Sequence, residues 1–133
     1  MKRYLIRTLF IGWLFLLGAV AAHAQSDNLG AVRSALRNGS SRELSQYFAP
    51  TVEIGFEGDK QNYNSTQAEL VMKDFFAKNP PSSFEFIHQG QSGEGIQYAI
   101  GRYTGRSGSY RVFVKLKPTR GAPLLDTLEL TKE

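Results

Sequence analysis

Apolar residues at Leu29, Val32 and Leu36 recur at the spacing of one helix face, and Asn38-Gly39 follows them with residues that tolerate a left-handed backbone. This spacing predicts a helix that stops at that pair. Ser40 and Glu43 form a capping box for a second short helix, whose apolar side is Leu44, Tyr47 and Phe48 and whose stop is Pro50. Residues 51–56 read as a strand, and the polar stretch 57–64 reads as a loop or a lid. The clearest helical signal comes next. Ser65 or Thr66 caps it, Glu69 stands three residues after Thr66, and Ala68, Val71, Met72, Phe75 and Phe76 make a broad apolar stripe that Asn79-Pro80-Pro81 ends.

Beyond Pro81 the pattern changes to strand, turn, strand. The runs 83–89, 96–104, 109–117 and 124–131 are separated by Gly93-Glu94-Gly95, by 105–108 and by 118–123. Connections this short predict antiparallel hairpins and therefore a meander. Helices first and a meander afterwards predict an α+β fold, with N-terminal helices packed on one face of a curved antiparallel sheet. Alternation assigns Phe84, Phe86, His88, Tyr98, Ile100, Arg102, Tyr110, Val112, Val114, Leu116, Leu124, Asp126, Leu128 and Leu130 to the face that meets the helices. Glu85, Ile87, Gln97, Tyr103, Arg111, Phe113, Lys115, Thr127 and Glu129 fall on the other, a mixed face suited to solvent or to a modest dimer contact.

The first residues change the picture of charge and place. Lys2, Arg3 and Arg7 precede an apolar run from 9 to 22, and Ala22-His23-Ala24 supplies a small-x-small site. These are the three parts of a cleaved signal peptide, and the run is shorter than the roughly 20 apolar residues of a spanning helix. The expected organisation is a signal at 1–24 and one domain at 25–133, exported to the periplasm or secreted, with no stable membrane span after cleavage. Removing the three signal cations from the 16 Lys and Arg leaves 13 against 12 Asp and Glu. The basic balance is thus mostly a targeting feature, and nucleic acid drops out as a partner. With no cysteine, the domain has neither disulfides nor thiolate chemistry.

His88 is then the single histidine of residues 25–133. One histidine and no cysteine do not make a usual zinc site, and no phosphate loop, nucleophile elbow or dinucleotide fingerprint is present, so neither metal nor cofactor is expected. An isomerase would need a carboxylate base and an oxyanion donor, for which Asp126 and Tyr98 or Tyr110 are the candidates, while a dehydratase would use His88. Against these stand plainer roles. His88 can bond a backbone carbonyl, the tyrosines can be core aromatics, and Asp126 can pair with Lys115. Sequential strand order would also hold His88 and Asp126 about 14 Å apart. The acid-free stretch 102–120, with Arg102, Arg106, Arg111, Lys115, Lys117 and Arg120, reads as a strand pair whose cations meet Glu85 and Glu129 across the sheet.

Tyr63-Asn64-Ser65-Thr66-Gln67-Ala68, Phe75-Phe76, the run from Phe84 through Gly90, Tyr98-Ala99-Ile100-Gly101 and Tyr110-Arg111-Val112, in that order, carry a family resemblance. The chain resembles small secreted bacterial proteins of unknown function with the nuclear-transport-factor-2-like (cystatin-like) cone fold. That resemblance implies a pocket between the long helix and the inner sheet face, often a homodimer through the outer face, and no particular activity. The resulting expectation is a non-catalytic cone that binds a small molecule or a partner. Its pocket would be lined by Phe75, Phe84, Phe86, Tyr98 and Tyr110, with His88 and Arg102 as polar contacts and no catalytic residue. The alternatives are an isomerase- or dehydratase-like enzyme, which also needs an open cavity, and an envelope module dimerising through Tyr103, Arg111 and Phe113, which predicts a filled cone.

Overall fold

The computed structural model describes residues 27–133. The expected signal segment 1–24 lies outside them. Two helices come first, α1 (Asn28–Asn38) and α2 (Ser41–Ser45), then strands β1 (Phe48–Phe56) and β2 (Asp59–Asn64), helix α3 (Ser65–Lys78), and strands β3 (Pro81–Gln91), β4 (Gln97–Gly105), β5 (Gly108–Lys117) and β6 (Leu124–Lys132).

Local chemistry explains the boundaries. The Asp27 side chain accepts from the Gly30 amide at 3.2 Å to open α1. Gly39, at φ 65°, closes it by turning the chain so that the amides of Gly39 and Ser40 return to Leu36 and Ala35. Ser40 caps α2 through the Glu43 amide at 3.1 Å, as its spacing predicts. That helix is shorter than expected, because Tyr47 and Phe48 are drawn into the sheet. The Leu125 amide donates to the Tyr47 carbonyl at 2.7 Å, and Phe48 opens β1 opposite Leu125. Pro50, which has no amide to donate, falls in the interrupted part of the ladder between Phe48 and Glu53. Asn64, rather than Ser65 or Thr66, caps α3, accepting from the Gln67 amide at 2.8 Å.

All strands join one six-stranded sheet in the order β2-β1-β6-β5-β4-β3. The α+β class holds, and the meander runs antiparallel from β3 to β6. β1, however, pairs with β6 in parallel, so the sheet is mixed rather than antiparallel. The polar stretch 57–64 is neither lid nor loop: Glu57 and Gly58, at φ 54° and 84°, make a two-residue hairpin turn, and β2 returns along β1 as an edge strand. Register shifts in β1, β3 and against β6 bend the sheet around the helices.

The concave face is filled. Val32, Leu36, Leu44, Met72 and Phe76 from the helices meet Val52, Ile54, Phe84, Tyr103, Val112, Val114, Leu128 and Leu130 from the sheet, all buried. Two assignments of face are corrected here. In β4 the small residues Ala99 and Gly101 and the fully buried Tyr103 face inward, opposite Val114, Val112 and Tyr110, so Tyr98, Ile100 and Arg102 point outward. Bulk misled the alternation, because the Phe84 ring of the neighbouring strand occupies the space above Gly101 that a side chain there would need. In β3 and β6 the phase changes midway. A register shift between Phe86 and His88 puts His88 opposite the outward Ile100, and another sets Leu125 inward beside Leu116 while Asp126 leaves the core.

Candidate functional site

The expected inner pocket is not assembled by this geometry. His88, Tyr98 and Arg102 lie on the convex face: His88 is exposed, Tyr98 covers the backbone of Gly90, and Arg102 reaches Glu133 at 3.6 Å. Phe75 and Phe84 are buried in the core, with Phe86 and Tyr110 packed against it. The convex residues are therefore separated from the aromatic ones by the thickness of the sheet. Asp126 also sits apart, with Lys115 at 3.7 Å, and three strand spacings, about 14 Å, separate it from His88.

What the fold does leave open is a cleft at one end of the cone, between α3 and the end of β1. Its volume is about 490 Å³, and Phe56, Leu70, Val71 and Phe75 form its walls and floor. Asp74, Lys78 and Asn79 line it as well, all from the last turn or the end of α3. Leu70 is 60% exposed, which sets it apart from the buried stripe on the same helix. Phe56 and Phe75 stack in a tilted pair with centroids 5.7 Å apart, and Phe75 continues into an edge-to-face contact with Tyr110 at 5.2 Å.

Asn79 anchors the floor. Its Nδ2 donates to the Phe75 carbonyl at 3.2 Å, and its Oδ1 accepts from Ser107 Oγ and, at 3.4 Å, from the Tyr110 hydroxyl. The Tyr103 hydroxyl donates to the Asn79 carbonyl. Burial, with a smaller contribution from neighbouring Tyr110, pushes the Tyr103 pKa well above its ordinary value, so the group stays a neutral donor. The charged groups of the cleft, Asp74 and Lys78, pair with each other at 3.0 Å one helical turn apart. Among the described residues no cluster of three or more His, Asp or Glu side chains is placed to hold a metal ion. None of their helices is long and apolar enough to cross a membrane.

The sequence reading missed this cleft except for Phe75. Its one available signal was Leu70, a large apolar side chain off the buried stripe of an amphipathic helix.

Residues 29–130 match the model of a domain of unknown function, DUF4783. The chain belongs to the DUF4783 family. A DUF4783 protein of Bacteroides ovatus ATCC 8483 is similar to it at 33% identity and a TM-score of 0.75, over 77% of this chain and 93% of its own. A second, from Bacteroides uniformis ATCC 8492, gives 23% identity and a TM-score of 0.76, over 80% of this chain and 98% of that one. More distant is a hypothetical protein of Catenulispora acidiphila DSM 44928 with a ketosteroid isomerase-like fold, solved in complex with trimethylamine. It shares 10% identity and a TM-score of 0.61, over 79% of this chain and 85% of its own, a likeness of fold alone. None of the curated proteins matches the chain. The DUF4783 domain thus has the nuclear-transport-factor-2-like cone that the sequence motifs resemble, and the family carries no assigned activity.

Proposed function

We propose that this DUF4783 protein is an exported, non-catalytic binding domain that takes a small, mostly apolar ligand in the cleft between α3 and β1. The observation that carries the reading is the exposed Leu70 at the mouth of an aromatic-floored cleft of about 490 Å³, Leu70 being one of two large apolar side chains left exposed among the described residues. That volume lies within the roughly 300–1,000 Å³ of small-molecule sites, and an apolar wall with a few polar groups at one end is their usual composition. A filled concave face favours binding at the cone's end rather than in its interior. An enzyme would need an acid and a base set at reacting distance there, whereas the cleft is lined by a single carboxylate, the exposed Asp74, and by no histidine.

The test uses N-phenyl-1-naphthylamine, a neutral apolar fluorophore, titrated into the mature protein. Saturable one-to-one enhancement that disappears in Leu70→Glu, with the melting temperature unchanged, is the expected result. Enhancement that survives Leu70→Glu would remove the cleft from consideration. A second reading, a homodimer through the convex face, is favoured by Ile87, 56% exposed beside the half-buried Ile100 and Phe113. Tyr103, being buried, takes no part in such a contact. Light scattering of the Ile87→Glu variant against the parent tests it, since a parent that is already monomeric ends this reading.

A further inference from the structure

The cleft is polarised along α3. Leu70 and Val71 stand at one end, Lys78 and Asn79 at the other, and eight residues of helix separate these ends by about 12 Å. Resting on the small-ligand reading above, we infer that the ligand carries an amine, and that the cleft takes a protonated amino group on an apolar body about as long as eight carbons.

Opposing fields meet at the polar end of the cleft. Asn79 offers little to a ligand head group, because its Nδ2 and Oδ1 are already bonded to the Phe75 carbonyl, Ser107 and Tyr110. Asp74 and Lys78, 3.0 Å apart, largely cancel each other a few ångströms away. What remains is the C-terminus of α3, which ends at Lys78 and presents the negative end of a 14-residue helix. Phe56 and Phe75 also line the cleft, and a ring face that a cation reaches within about 6 Å attracts it. An ammonium group can also displace Lys78 from Asp74, since the existing pair is exposed and joins residues of one helix, the weakest class of ion pair. A carboxylate would gain only Lys78, while meeting the helix end, the ring faces and Asp74 with the wrong sign.

Displacement of N-phenyl-1-naphthylamine at pH 7 by octylammonium, octanol and octanoate separates the head group from the chain. Octylammonium should bind tightest, by about tenfold over octanoate, the ratio that 1.4 kcal/mol produces. Asp74→Asn should erase most of that advantage while leaving octanol unchanged, and Lys78→Ala should enhance it. Both side chains are exposed, so neither change threatens the fold. If octanoate binds as well as or better than octylammonium, the amine inference is overturned and the cleft reading survives. The inference is also overturned if Asp74→Asn leaves the ratio unchanged. If none of the three displaces the fluorophore, the cleft reading fails and takes the inference with it.

Discussion

Alanine at position 101 would place a methyl group 2.5 Å from Cζ and 2.8 Å from Cε1 of Phe84, and 2.9 Å from the Glu85 carbonyl oxygen. Carbon atoms in good contact sit about 3.5–4.0 Å apart, so the ring or the β3 backbone must move by about 1 Å. Neither has room to do so. The Phe84 ring is buried and meets Phe86 edge-to-face at 5.2 Å, while the Glu85 backbone is held in the β3–β4 ladder opposite Arg102. Overpacking of a filled core costs about 1–3 kcal/mol, and a ring forced about 30° off its rotamer adds about 1 kcal/mol. Against this, replacing glycine returns about 0.4–1 kcal/mol through the unfolded chain. The net expectation for Gly101→Ala is a loss of about 2 kcal/mol, which lowers the melting temperature of a domain this size by about 8–16 °C.

Urea unfolding followed by circular dichroism measures the loss, with an unchanged denaturant slope showing that the unfolded state is not what moved. Gly93→Ala is the control, because a methyl group there meets nothing within 4 Å, and it should stay within about 0.5 kcal/mol of the parent. Adding Phe84→Leu to Gly101→Ala should recover stability relative to the sum of the two single changes, by about 1 kcal/mol or more. A Gly101→Ala protein as stable as the parent would refute the argument that the Phe84 ring is why β4 turns its small residues inward.

Burial of Tyr103 should cost the fold stability at alkaline pH. Unfolded, it loses its proton near 10.0, while the folded form holds it to higher pH, so the unfolded chain binds fewer protons in that window and stability falls as pH rises through it. Urea midpoints at pH 8 and pH 10.5 should show a smaller fall in Tyr103→Phe than in the parent, and equal falls would refute the assignment. Asn64→Ala, which removes the acceptor for the Gln67 amide, should cost about 1 kcal/mol, whereas Thr66→Ala should cost less than half of that; the reverse order in thermal melts would return the cap to Thr66.

Element type was largely legible in the sequence, because Leu29, Val32 and Leu36, the Ser40–Glu43 box and the period-two runs after Pro81 are local signals that tertiary structure reinforced. β2 was not, because an edge strand that reads Asp-Lys-Gln-Asn-Tyr-Asn buries no side chain fully and so shows no alternation. The phase of the meander strands was lost for a different reason. A single extra residue at Ile87 or Asp126 reverses every later side chain, and nothing in the local sequence marks either position. His88 was placed in the pocket by carrying an unbroken alternation through Ile87, whereas Tyr98 and Arg102 were misplaced there because β4, which has no bulge, turns its small residues Ala99 and Gly101 inward. The parallel partner of β1 was equally hidden, being a pairing between segments some 70 residues apart.

That last pairing constrains how the chain can be made. From β3 onward each strand meets a neighbour that has just been synthesised, so the meander can begin to form hairpin by hairpin as it emerges. The β1–β2 hairpin has no such opportunity. Its only route into the sheet is β6, the last strand to leave the ribosome, and loops of that length close slowly. Residues 48–64 therefore wait through the synthesis of more than half the domain with α3 as their one early packing partner, which makes this hairpin the segment with most to gain from a chaperone before the fold closes.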